Sequence, residues 1–129
     1  MSPDAERTLR IVDALNRLTV DREVSWSEVG DCIFATSVAG QQAVVSSDDR
    51  DNVAPFTFVI ENNEGLIIQR LRSIGSGELT PAQRTDANRV NLALYELYRL
   101  ARDRALGISD ALGRIEDALG IDPPDKDVS

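Results

Sequence analysis

Two loops carry the kinds of side chain that a metal ion or a phosphate group would need. Residues 46–52 include three aspartates, and carboxylate oxygens bind hard cations such as Ca²⁺. This loop lacks the central glycine and the distal glutamate of an EF-hand. Residues 73–78 place Gly75 and Gly77 before a helix, as in a phosphate-binding loop, but no lysine follows and Glu78 would repel phosphate. We interpret the first segment as an exposed hairpin tip and the second as a flexible linker.

The chain offers few groups for acid, base or nucleophilic catalysis. It contains no histidine, so its only cysteine, Cys32, has no histidine to activate it. A single cysteine beside an apolar residue is typical of a buried thiol that packs as a small hydrophobic group. No spacing among the acidic residues singles out a carboxylate pair for glycoside-type chemistry. We therefore predict no catalytic residue, no cofactor and no metal site, and we expect that the protein is not an enzyme.

Net charge restricts the classes of partner. Twenty-two acidic residues against 14 basic residues give a net charge of -8, which repels phosphate backbones and anionic membranes. No apolar run is long enough to span a bilayer, and the first residues do not form a hydrophobic signal sequence. Nearly all basic residues are arginine, which is typical of a high-GC bacterial genome. We expect a bacterial, cytoplasmic protein that binds neither nucleic acid nor membranes.

The strongest candidate site lies on a long helix predicted for residues 81–106. One apolar stripe of this helix, from Ala87 to Ile108, predicts ordinary core packing. A second row has the same spacing but lies well over a third of the way around the helix, so packing on one side does not explain it. Five arginines against three acidic residues give this helix a local charge of +2, and tyrosine and arginine are enriched at protein interfaces. We predict that this second row binds a partner through Leu92, Tyr95, Arg99, Arg102 and Leu106.

Two functions from different classes fit these residues. The first is a small acidic protein–protein interaction module in an adaptor, chaperone-like, immunity or regulatory role, which binds a protein partner or forms a homodimer. The alternative is a small-ligand sensor with a pocket between sheet and helices, lined by Trp26, Phe34, Phe56 and Phe58. The second row also has a purely structural interpretation, in which the first or third helix of the same chain covers it.

The N-terminal elements begin with a predicted helix. Ser2 followed by Pro3 is a typical helix start, and the helix extends to about Thr19. Residues 20–31 are ambiguous, because they alternate like a strand but also contain a capping box at residues 25–28, and we favour a short helix. The residues expected on the inner side of the first helix are Ala5, Thr8, Ile11, Val12, Leu15 and Leu18.

From Cys32 onward the apolar period changes to two, which predicts an antiparallel meander. Ala39 and Gly40 form the first hairpin turn, and Gly65 supplies the positive φ of a loop that pairs Ile60 with Ile68. The predicted strands are Cys32–Val38, Gln41–Ser47, Phe56–Glu61 and Leu66–Arg72. This register places Phe56, Phe58, Ile60, Leu66 and Ile68 on the core face and Leu71 on the opposite face.

Helices complete the chain. Thr80 and Gln83 form a capping box that starts the long helix, and a third helix begins at Ser109 and ends at Gly120. We expect the third helix to bury Ala111, Leu112, Ile115, Ala118 and Leu119. Residues 1–120 are therefore predicted to form a single α+β domain with an N-terminal helix, an antiparallel β-meander of about four strands, and a long C-terminal helix plus a short final helix packed on one sheet face. Residues 121–129 are predicted to form a disordered acidic tail.

Overall fold

A computed structural model describes residues 1–75 and 77–121 of the chain. One helix precedes five strands, and two helices follow them. The strands form a single antiparallel sheet in the order β1-β2-β3-β4-β5, so the predicted α+β fold is confirmed. The elements are α1 (Pro3–Val20), β1 (Ser27–Gly30), β2 (Ile33–Val38), β3 (Gln41–Ser47), β4 (Phe56–Glu61), β5 (Ile67–Arg72), α2 (Pro81–Leu106) and α3 (Ile108–Leu119).

The core lies between one face of the sheet and the helices α1 and α2. Strand register aligns four buried side chains across four strands, namely Phe34, Val45, Phe58 and Leu71. Helix α2 contacts all five strands, whereas α1 contacts α2 and β5. Burial of these apolar side chains is the main favourable contribution to folding, because it removes their surface from water.

Helix α1 begins and ends close to the predicted positions. The Ser2 hydroxyl accepts a hydrogen bond from the Ala5 amide at 3.2 Å, which satisfies one unpaired amide of the first turn. The inner side differs slightly from the prediction, because Leu9 is buried and Ile11 is exposed. This difference follows from the position of α1, which packs on both α2 and β5 and so turns the Leu9 side toward the core.

The prediction of a short helix within residues 20–31 is wrong. Residues Ser27–Gly30 form strand β1, which pairs with β2 so that Ser27 lies opposite Ala35. The preceding Trp26 is buried, and its indole N–H donates a hydrogen bond to Thr19 Oγ1 at 2.9 Å. Pairing with a neighbouring strand and burial of the indole outweigh the local capping signal, because both are tertiary interactions.

The register predicted for β4 and β5 is also wrong. Ile60 lies opposite Gln69, and Glu61 lies opposite Ile67, so Ile68 is an extra residue in a β-bulge. A shift of one residue turns each side chain to the other face of a strand. Leu71 is therefore buried, whereas Leu66, Ile67 and Ile68 are exposed.

The turns themselves follow the predicted chemistry. Ala39 and Gly40 have φ values of 52° and 78°, as a two-residue hairpin turn requires. Gly65 has a φ of 83°, and Asn62 Oδ1 accepts hydrogen bonds from the Glu64 and Leu66 amides. Residue 76 of the predicted linker, and residues 122–129 of the predicted disordered tail, lie outside the described residues.

Candidate functional site

Helix α2 carries the predicted site, and local sequence fixes both of its ends. Thr80 Oγ1 accepts from the Gln83 amide at 3.2 Å, and Gln83 Oε1 accepts from the Thr80 amide at 2.9 Å. This reciprocal pair is the predicted capping box. Gly107 ends the helix with a φ of 65°, a conformation that glycine adopts without steric cost.

The inner side of α2 is the predicted core stripe. Eight residues of this helix are buried, and they include Val90, Leu94, Leu97 and Ala101 of that stripe. At 100° per residue these positions fall on one side of the helix, which faces the sheet. The assignment of this stripe to the core is confirmed from Ala87 to Ala105, whereas Ile108 belongs to α3 and lies outside the core cluster.

The second row lies on the opposite side of α2, where described residues leave most of it uncovered. Leu92 is 65% exposed, Tyr95 is 50% exposed and Leu106 is 45% exposed. Arg99 is also exposed, and Arg102 is partly buried. Neither α1 nor α3 covers the row, so the purely structural interpretation is wrong for the part of the chain described here.

The two arginines of the second row differ in their electrostatic surroundings. Arg99 Nη2 donates to Glu96 Oε2 at 2.9 Å, and this hydrogen bond raises the pKa of Arg99 above its ordinary value. Within residues 1–75 and 77–121, Arg102 forms no salt bridge. A guanidinium with open donors at a surface can bind a carboxylate of another molecule through charge-assisted hydrogen bonds.

Tyr95 also borders a cleft of about 420 Å³ between α2 and the start of β4. Its ring lies 6.4 Å from the ring of Phe56, measured between centroids. The other lining residues are Val53, Ala54, Pro55, Ser73, Ile74, Gly75 and Asn91. The volume is within the range of small-molecule sites, and the lining is mainly apolar.

The four aromatic residues expected to line a ligand pocket are instead core residues. Trp26, Phe34, Phe56 and Phe58 are all buried. Phe34 and Phe56 pack against the Tyr98 ring, with centroid distances of 5.6 Å and 4.8 Å. Only Phe56 borders the cleft beside Tyr95. The predicted pocket lining is therefore wrong for the other three residues, because the sheet and α2 pack directly on them.

Helix α3 exposes apolar side chains whose periodicity predicted burial in the interior. Leu112 and Ile115 are each 54% exposed, and Leu119 is 69% exposed. No residue of α3 is buried, so the prediction of a buried stripe on this helix is wrong. The helix contacts α2 among the described elements, and that contact leaves its apolar side open. Sequence periodicity identified the apolar side correctly but could not show which element, if any, covers it.

Cys32 belongs to a small buried cluster, as expected for a structural thiol. The Tyr98 hydroxyl donates to Asn52 Oδ1 at 2.6 Å, and the Cys32 thiol lies 3.6 Å from the same oxygen. Burial raises the pKa of Tyr98 above its ordinary value and so favours the protonated phenol that donates to Asn52. The cluster ties the loop that contains Asn52 to α2 and to the residue that precedes β2.

The acidic loop uses its side chains within the fold. Asp48 accepts hydrogen bonds from Thr57 Oγ1 at 2.7 Å and Arg72 Nε at 2.8 Å. Asp51 accepts from the Ser47 hydroxyl and the Val53 amide, both at 3.2 Å. Among the described residues, no group of three or more potential metal-ligating side chains is present.

Comparison with known proteins gives no relative for this chain. No protein-family model matches it, and no similar protein was found among curated sequences or solved structures. Within the described residues, every helix is too short or too polar to cross a membrane. Any functional conclusion therefore depends on the surface and charge of the chain itself.

Proposed function

We propose that this chain is a non-enzymatic protein–protein interaction module that self-associates through the second row. The main supporting observation is the exposure of Leu92, Tyr95 and Leu106 on the side of α2 opposite the core. Burying a leucine side chain in an interface contributes about 1.5–3 kcal/mol, which favours a partner over water at these positions. The cellular role that we propose is adaptor, chaperone-like, immunity or regulatory, in the bacterial cytoplasm.

Charge supports a protein partner over nucleic acid or an anionic membrane. The chain has a net charge of -8, but α2 carries five arginines against three acidic residues. A locally basic surface on an acidic protein favours an acidic protein surface, including that of a second copy. Arg99 and Arg102 would bind carboxylates, while the apolar residues of the second row become buried.

A paired substitution tests this proposal. Light scattering after size-exclusion chromatography, over roughly a hundredfold range of concentration, should give the native chain a mass near twice 14.1 kDa at the upper end. Leu92→Glu/Tyr95→Glu should reduce the mass to that of one chain, because two carboxylates would enter the apolar contact. Circular dichroism should remain unchanged, since both side chains are exposed.

The matched control is Ile11→Glu/Val20→Glu, which adds the same charges at exposed apolar positions of α1. It should leave the mass of the assembly unchanged. A native chain that stays monomeric throughout would contradict self-association. Equal loss of mass in both double variants would show that added charge, and not the second row, controls assembly.

Small-ligand binding in the cleft beside Tyr95 is a second candidate function. The cleft volume of about 420 Å³ and its mainly apolar lining favour a small apolar molecule. A ligand of this kind should raise the melting temperature of the protein, because it binds only the folded state. Asn91→Leu, which changes a side chain at the cleft wall, should reduce that shift if the ligand occupies this cleft.

A further inference from the structure

Exposed apolar side chains from three separate segments converge on the cleft beside Tyr95. Val53 lies before β4, Ile74 follows β5, and Tyr95 belongs to α2. All three side chains are exposed, and all three border this cleft. Single exposed apolar residues are ordinary on a protein surface, but several of them around one concave site are typical of a ligand-binding cleft.

Hydrogen bonds hold two segments of the cleft wall in position. The Ser47 hydroxyl donates to the Val53 carbonyl oxygen at 2.9 Å, and Asp51 Oδ1 accepts from the Val53 amide at 3.2 Å. Asn91 binds both backbone groups of Ile74. Its Oδ1 accepts from the Ile74 amide at 2.7 Å, and its Nδ2 donates to the Ile74 carbonyl oxygen at 2.9 Å. A cleft whose walls are already held needs little ordering when a ligand binds, which favours affinity.

The polar groups along the wall are hydrogen-bonded within the fold. Ser73 Oγ accepts from the Phe56 amide at 2.8 Å, and the Pro55 carbonyl oxygen accepts from the Asp48 amide at 3.0 Å. None of the lining residues that the structure describes carries a charge. An ionised ligand would lose hydrating water in this cleft without gaining a charged partner, which is unfavourable. The cleft therefore favours an uncharged ligand.

Two aromatic rings at the cleft favour a flat ligand. The Tyr95 ring is half exposed, and its centroid lies 6.4 Å from that of the buried Phe56 ring. An aromatic ligand in the cleft would pack against Tyr95 in the offset or edge-to-face arrangement that aromatic pairs prefer. The cleft volume of about 420 Å³ is sufficient for a molecule of two fused rings.

We infer that this cleft binds an uncharged aromatic molecule that packs against the Tyr95 ring. This inference rests on the second candidate function and specifies the ligand class of that site. Tyr95 borders the cleft and also belongs to the second row, whereas Leu92 belongs to the second row and does not border the cleft. Substitutions at these two positions therefore separate ligand binding from self-association.

Amide NMR titration of the full chain with three matched probes tests the ligand class. Naphthol, which is uncharged at neutral pH, should bind with a Kd below about 1 mM. Naphthoate has the same rings and a carboxylate, so it should bind at least about tenfold more weakly. Decahydronaphthol keeps the hydroxyl but has no aromatic ring, so it should also bind more weakly than naphthol. The amide signals that naphthol should shift most are those of Val53, Ile74, Gly75 and Tyr95.

A pair of alanine variants tests the role of the Tyr95 ring. Tyr95→Ala should weaken naphthol binding about tenfold, because the packed ring is removed. The matched control is Leu92→Ala, which removes an exposed apolar side chain from the same helix outside the cleft. It should leave the affinity for naphthol unchanged. Circular dichroism of both variants should match that of the native chain, since both side chains are exposed.

Three results overturn the inference in distinguishable ways. If naphthoate binds in the cleft as tightly as naphthol, the cleft is a ligand site but the inferred ligand class is wrong. If no probe shifts the amides of the cleft, both the inference and the second candidate function fail. Equal loss of naphthol affinity in Tyr95→Ala and Leu92→Ala would show that the ligand does not pack on Tyr95 in this cleft. Naphthol binding by a chain that stays monomeric would support the inference and contradict self-association.

Discussion

Helices α1 and α3 are both amphipathic, but they have opposite relations to the core. The apolar side of α1 is buried, with Leu9, Val12 and Leu15 almost fully removed from water. The apolar side of α3 is open, and none of its residues is buried. Both helices have apolar residues at the spacing of one helix face. An amphipathic pattern thus predicts an apolar helix face that is favourable to bury, but it does not identify the element that buries it.

The positions of the two helices explain this difference. Helix α1 lies across α2 and β5, so two elements contribute to the covering surface. Helix α3 follows α2 after one residue and contacts α2 alone among the described elements. Its length is sufficient to form an interface but its position leaves it beyond the sheet. The difference separates an apolar face that stabilises the folded chain from one that stays exposed.

Substitution of one leucine in each helix gives the largest expected contrast. Leu9→Ala should lower the free energy of unfolding by about 2–5 kcal/mol, because it removes packed atoms and leaves a cavity. Leu112→Ala should change it by less than about 0.5 kcal/mol in the monomer, because that side chain is exposed. Urea denaturation measures both values, at a protein concentration at which light scattering gives the mass of one chain. Equal losses would show that α3 is buried within its own chain, which would break the comparison.

Serine substitutions at the two helix starts give a smaller contrast. Ser2→Ala should lower the free energy of unfolding by about 0.5–2 kcal/mol, because it removes the side-chain cap of α1. Ser109→Ala removes the hydroxyl bond to Asp103 at the start of α3. Because α3 contributes no buried residue to the core, the expected change is within about 0.5 kcal/mol. Thermal unfolding of the two variants at the same low protein concentration measures the two losses of stability. A larger loss in Ser109→Ala than in Ser2→Ala would contradict the expected contrast.

An ion pair that joins α1 to α2 gives the smallest expected effect. Arg89 donates to both carboxylate oxygens of Glu6, at 2.9 Å and 3.4 Å, and this lowers the pKa of Glu6. A lowered pKa in the folded state means that the pair stabilises the protein above the ordinary pKa of glutamate. That stabilisation is lost as the pH falls through the lowered value. Arg89→Gln should return the pKa of Glu6 toward its ordinary value, measured by NMR titration of the carboxyl carbon.

The control for this titration is the exposed pair at the start of α3. Arg22→Gln removes the contact with Asp110 and should leave the titration of Glu6 unchanged. Arg22→Gln should change the free energy of unfolding only slightly, because exposed ion pairs are screened by solvent and salt. A native Glu6 that titrates at its ordinary value would contradict the bidentate contact with Arg89.

Local sequence predicted the elements well where local chemistry controls them. The bounds of β3, β4 and α2 agree with the prediction, because turn residues and a capping box mark their ends. Strand β1 was missed because the capping box at residues 25–28 is a local signal that favours a helix. The pairing of β1 with β2 is a tertiary contact that this local signal does not report. The β4–β5 register differs because Ile68 forms a bulge, and the length of the loop did not reveal an extra residue.

The candidate site was predicted in part. Sequence periodicity separated the second row from the core stripe of α2, and the exposure of Leu92, Tyr95 and Leu106 agrees with that separation. Partner binding by these residues stays a prediction. The exposed side of α3 was assigned to the interior, because periodicity reports an apolar face without reporting its neighbours.

The sequence by itself determined the types of the three helices and of strands β2 to β5, most of their ends, the charge contrast between α2 and the whole chain, and most of the apolar side of each helix. These properties depend on residues that are close along the chain, where steric preference and hydrogen-bond capping act. Only the tertiary structure decided that β1 joins the sheet, that Leu71 faces the core, and that the apolar side of α3 stays open. Those outcomes depend on contacts between residues far apart in sequence, whose packing energies exceed local preferences.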